Sequence, residues 1–138
     1  MGRGRCSDMT DFTITNLADV DDSAPKFGIG EIQEARFATK ALDAEQLGLA
    51  YIRLKPDQVS PFAHRHETQE ELYVVLSGSG SVVLDEEQRD LRPLDAVRVA
   101  PSVARSFTSG PEGLDIVAFG APALSGGSND GEIIEPGS

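Results

Sequence analysis

The feature that most limits how this chain can fold is a series of short apolar stretches, each cut off by a turn signal within a few residues. Residues 49–54 stop at Pro56. Residues 71–76, rich in β-branched and aromatic side chains, run into Ser77, Gly78, Ser79 and Gly80. Residues 81–84 give way to a polar turn at 85–88, residues 89–91 lead to Pro93, and residues 96–99 close at Pro101. Residues 105–108 precede a turn at 109–113, and residues 114–119 complete the series. Short strand-like runs separated by such signals every 8–12 residues are the pattern of an all-β sandwich or barrel. No long amphipathic helical stretch lies between them, which argues against a parallel α/β sheet. The expected class is an antiparallel β-barrel or jelly roll with a few short helical turns.

The flanks are less regular. Phe12, Ile14 and residues 16–20 allow a short strand and a turn, and residues 31–39 allow either a strand or a short helix. Residues 42–47 are the best short-helix candidate, with Asp43 to cap it and Gly48 to end it. The domain organisation expected is a dispensable extension over residues 1–9, one domain over 10–122 with its core motifs in 47–120, and a loosely attached tail over 123–138. In that tail Ile133 and Ile134 are the apolar anchors able to pin it to a groove or a neighbouring subunit.

A chain of 138 residues suits one domain. Its 23 acidic residues against 12 basic ones give a formal net charge of −11, a surface that repels nucleic-acid phosphates and anionic lipid. Neither nucleic acid nor membrane is therefore expected as a partner. The single cysteine, Cys6, excludes an intramolecular disulfide. No run approaches the roughly 20 apolar residues that span a bilayer, and the arginines near the start have no apolar run behind them. The expected compartment is the cytoplasm.

Chemistry concentrates at one place. Both histidines, His64 and His66, are two positions apart, and Glu71 opens the next strand-like run. In extended chain, residues i and i+2 project to the same face. The two imidazoles can therefore meet at one point, where Glu71 can add an oxygen. Two nitrogens and a carboxylate with open positions suit Fe, Mn, Zn or Ni as a divalent ion. Spacing alone also fits a solvent-exposed histidine pair in a turn. No glycine-rich phosphate loop, paired serine–histidine set or CxxC motif is present.

The set His64, His66, Glu71 and Gly78 resembles the first motif of the cupin superfamily, in its small single-domain microbial form. The hairpin from Gly80 to Asp85 and the stretch from Pro93 to Pro101 are similar to that family as well, and the resemblance covers residues 47–120. It implies a double-stranded β-helix with a pocket inside the barrel. Glu71, Tyr73 and Val75 would face inward; Leu72, Val74 and Leu76 would face sheet packing or a dimer interface. It also implies a small-molecule ligand, a homodimer, and a metal-dependent oxygenase or isomerase or, alternatively, a metal-free binding or sensing barrel.

The departures from the family pattern fall at defined positions. Asp57 and Gln58 stand where a glycine opens the first motif. Leu94 and Ser102 replace two glycines of the second, and Arg105 stands where a histidine completes the metal set. Arginine offers only donors and cannot ligate a metal. It can grip an anionic ligand beside a three-ligand metal, pair with Glu71 in place of the metal, or point to solvent. Tyr73 and Gln69 are the further ligand-binding candidates, Gln69 as a residue that orients a histidine. For Tyr51 and Tyr73 the simpler reading is core packing. Glu67 and Glu70 read as surface charge, Arg53 and Arg98 as outward-facing, and Phe107 and Phe119 as core.

Overall fold

The computed structural model describes residues 11–61, 63–123 and 132–134, the last for their backbone course alone. The expectations for residues 1–9, Cys6 included, lie outside the described residues. Eight strands are seen among the described residues: β1 (Gln33–Phe37), β2 (Gly48–Leu54), β3 (Ala63–Arg65), β4 (Glu70–Leu84), β5 (Glu87–Leu91), β6 (Ala96–Val99), β7 (Arg105–Ala121) and β8 (Glu132–Ile134). Every pairing between them is antiparallel. Among the described residues, helix is confined to short 3-10 turns at Leu17–Asp19 and Ala24–Phe27. None is long and apolar enough to cross a membrane.

The architecture turns on β4 and β7, which pair along almost their whole length. Their first-and-last halves build one layer in the order β1–β2–β7–β4–β6. Their other halves build a second layer, β5–β4–β7–β3–β8. This is the jelly-roll arrangement expected. The punctuation at 77–80 and 109–113 bends the two strands where turns were expected to end them. The register shifts between Val75 and Ser77 and again between Gly78 and Gly80, and Gly78 and Gly113 take positive φ of 89° and 80°. Glycine bulges of this kind carry one strand from layer to layer.

The core lies between the layers. Tyr73, Val75, Val99, Leu114 and Ile116 from the first meet Val82, Leu91 and Phe107 from the second. Strand alternation in β4 is as expected: Tyr73 and Val75 are buried, whereas Leu72 and Leu76 are exposed. Phe119 departs from the expectation of core. It pairs across from Leu72 on the outer face and is 37% exposed, because Ala118 takes the inward position.

The local readings near the start resolve in favour of extended chain. Residues 31–39 supply β1, with Ala35 buried. The expected strand around Phe12 and Ile14 does not form; instead Asn16 caps the turn at Leu17–Asp19 through Ala18 N–H. The helix expected at 42–47 is also absent. Leu42 N–H reaches Ala38 O and Ala44 N–H reaches Thr39 O, but Asp43 adopts φ 54°, which ends each turn before a second can form. Of the segment expected as a loose tail, Glu132–Ile134 runs along β3, with Ile133 opposite His64.

Two replaced glycines keep the backbone geometry that glycine would serve. Asp57 has φ 57° and Leu94 has φ 75°. Aspartate tolerates that region, but for leucine it costs roughly 1–2 kcal/mol. The Leu94 side chain is 81% exposed and has little packing to lose. Leu94→Gly is therefore expected to stabilise the fold by about 0.5–1 kcal/mol after glycine's greater unfolded-state freedom is subtracted. Urea denaturation at equilibrium checks this; a loss of stability would contradict it.

Candidate metal centre

β3 belongs to the second layer and the first half of β4 to the first, so their inward side chains meet across the barrel. β3 is short. It is held by His64 pairing with Arg105 on β7 and by β8 on its other edge, and His66 N–H donates to Pro101 O at 2.7 Å. The i, i+2 spacing brings the two imidazoles together, with ring centroids 5.1 Å apart and planes at 84°. Glu71 reaches them from the start of β4. Its Oε1 lies 3.6 Å from His64 Nε2 and 3.4 Å from His66 Nε2. One ligand atom from each of the three falls within 4.8 Å of the others.

The same oxygen is the hub of a wider cluster. Arg105 Nη1 stands 3.5 Å from Glu71 Oε1, and the Tyr73 hydroxyl donates to it. Arg105 is fully enclosed, which rules out the solvent-facing reading. Its Nη2 donates to Ala100 O at 2.9 Å, while its Nε and Nη1 have no hydrogen-bond partner. Burial alone would raise the Glu71 carboxyl, but its interactions with His64, His66 and Tyr73 hold it well below the usual carboxylate range. Tyr73 is shifted the opposite way: burial and the adjacent Glu71 charge keep its phenol protonated well above the ordinary value. Its ring packs on Phe107 at 4.9 Å.

The donor set fits a first-row divalent ion. Ligand bonds of about 2.0–2.2 Å place neighbouring ligand atoms roughly 3.0–3.6 Å apart, which matches the spacings at Glu71 Oε1. Access comes from the His64 side, where the side chain is 33% exposed against 8% for His66. Gln69 is buried next to this cluster. Its amide donates to Pro122 O at 3.3 Å and lies over Gly120, where a Cβ would come within 2.6 Å of it.

Part of the site was not read from the sequence. Gly48 pairs with Gly120 and Ala50 with Ala118, and these β7 residues stand beside Glu71 and Tyr73. The inward face next to the cluster is therefore a wall of very small side chains. The signal was there, in the alternation of small residues at 48 and 50 and at 118 and 120. The outward readings hold for Arg53, which pairs with Glu34 and Asp115, and for Arg98, which pairs with Glu70.

The family model described as Cupin domain matches residues 50–115. The chain has the cupin fold. Among solved structures, the cupin fold here is similar to a cupin protein from Bacteroides fragilis, at 21% identity and a TM-score of 0.67, covering 85% of this chain and 89% of that one. A sugar phosphate isomerase of the cupin superfamily from Silicibacter pomeroyi matches at 20% identity and a TM-score of 0.60, covering 67% and 61%. A salicylate 1,2-dioxygenase from Pseudaminobacter salicylatoxidans matches at 19% identity and a TM-score of 0.60, covering 71% of this chain and 30% of that one. At these identities the likeness carries the fold alone. No match was found among curated proteins.

Proposed function

We propose that the protein is a metal-dependent cupin enzyme that binds a divalent ion through His64, His66 and Glu71 and acts, as an oxygenase or isomerase, on a small polar or anionic molecule within the barrel. The observation that carries this reading is the convergence of both imidazole Nε2 atoms on Glu71 Oε1, at 3.6 and 3.4 Å. A bound Fe, Mn, Zn or Ni ion would supply Lewis acidity or dioxygen chemistry at its open positions. The chain's own residues would do the rest. Tyr73 holds the Glu71 carboxylate in place, and Gln69 fills the space over Gly120. That solved cupins of similar fold include a sugar phosphate isomerase and a salicylate dioxygenase supports these reaction classes.

A second reading is favoured by one observation. Arg105 Nη1 is as close to Glu71 Oε1, at 3.5 Å, as the imidazoles are. That ion pair can stand in for a metal, and the barrel would then be a non-catalytic binding or sensing protein. Metal analysis and calorimetric titration separate the two. The enzyme reading expects one equivalent of divalent metal per chain, and a loss of affinity of at least about a hundredfold in His64→Ala or His66→Ala as one of three ligands is removed. A purified protein that is metal-free and resists loading contradicts it.

The working form is proposed to be a cytoplasmic homodimer. Its support is the outer sheet face, where Leu72 and Leu76 are each 46% exposed beside Phe119. Light scattering on a sizing column at micromolar concentration is expected to give twice the chain mass, and Leu72→Glu to shift it to one. A monomeric wild type contradicts the dimer.

A further inference from the structure

A fixed cation next to a metal centre changes what the centre prefers to bind. Glu71 and Arg105 cancel in charge, and ligating imidazoles are neutral. A divalent ion held here would therefore carry two uncompensated positive charges, one more than with an uncharged residue at 105. Arg105 cannot shed its proton. It cannot move away either, since its guanidinium is 0% exposed and Nη2 is tied to Ala100 O at 2.9 Å. Nε and Nη1 have no hydrogen-bond partner, and Glu71 Oε1 is the anion 3.5 Å from Nη1. With so little solvent around it, this charge is weakly screened and acts on what binds at the centre. A ligand reaches the centre from the His64 side, where that side chain is 33% exposed.

Building on the metal reading above, we propose that Arg105 is a positioning residue that makes the loaded centre selective for an anion, and that the ligand class it selects is a small chelating carboxylate. Arg105 acts through its charge and through Glu71 and need not touch the ligand.

The test uses the full chain loaded with Co(II), with glycolate and its neutral analogue glycolamide as probes. Binding is read by calorimetry and by the visible absorption of the cobalt. Wild type is expected to prefer glycolate strongly. In Arg105→Gln that preference should fall by about tenfold or more, with cobalt bound as tightly as in wild type or tighter. Arg105→Lys, which keeps the charge, should retain most of it. Arg105→Met is a second neutral variant should the glutamine form not fold. The proposal is overturned if wild type does not discriminate between the probes, if the neutral variants keep the wild-type preference, or if lysine loses it as completely as glutamine. Failure of wild type to hold cobalt removes the metal reading and this proposal together. Cobalt held with an unchanged preference removes this proposal alone.

Discussion

Glu71→Gln is expected to lower the stability of the metal-free protein by about 3–5 kcal/mol, the range for removing one partner of a buried ion pair. The reason lies in what the carboxylate holds together. Its Oε1 faces His64, His66 and Arg105 and accepts from Tyr73. Glutamine keeps the volume and loses the charge, which leaves the enclosed Arg105 guanidinium without a counter-ion. Arg105→Met added to Glu71→Gln removes that stranded charge. The double variant should regain about 1–3 kcal/mol relative to the single one, a coupling that a double-mutant cycle in guanidinium chloride measures directly. The pH dependence has a definite sign. The folded-state Glu71 carboxyl is lowered, so the stability it lends is fully present above the ordinary carboxylate range and is lost as pH falls towards the folded value. Wild type and Glu71→Gln should therefore differ most at neutral pH and converge in strong acid. Equal stability at pH 7 would contradict the pairing.

The second large effect is expected away from the site. Gly78→Ala places a Cβ 2.1 Å from Gly113 O and 2.8 Å from Gly113 C, at a residue with φ +89°. Both atoms are backbone in the β4–β7 ladder, so neither can retreat without breaking the pairing that joins the two layers. A loss of about 3–5 kcal/mol follows from the clash and the backbone strain together. Gly28→Ala is the matched control. Its φ of +74° is similar, but nothing lies within 4 Å of the added Cβ, so about 1 kcal/mol is expected. Thermal melts of the two variants compare them. Similar losses in both would show that conformation, not close approach, makes Gly78 necessary.

These two positions also mark how far the sequence could be read. The composition of β2, β4, β6 and the end of β7 made the strands legible, and the i, i+2 rule placed His64 and His66 on one face before any fold was known. Glycine and serine at 77–80 and 109–113 look the same in sequence whether they end a strand or bend it. The choice is made by pairing with a distant segment, which no local pattern reports. The same limit explains residues 42–47, where local capping suggested a helix but Asp43 in the left-handed region closes a turn. For Phe119 size alone suggests core, whereas strand parity gives the inward position to Ala118. Arg105 was legible as the departure from the family pattern. That its guanidinium is sealed inside and shares an oxygen with both histidines depended on the fold.

His64, His66 and Glu71 are proposed to hold one metal ion. The measurement that tests it most directly is an anomalous-scattering map from crystals grown with Zn(II). A single strong peak is expected at about 2.0–2.2 Å from both Nε2 atoms and the Glu71 carboxylate, with Arg105 still enclosed beside it. A map with no peak among these three side chains, and the guanidinium of Arg105 bonded across the space between them, would contradict it.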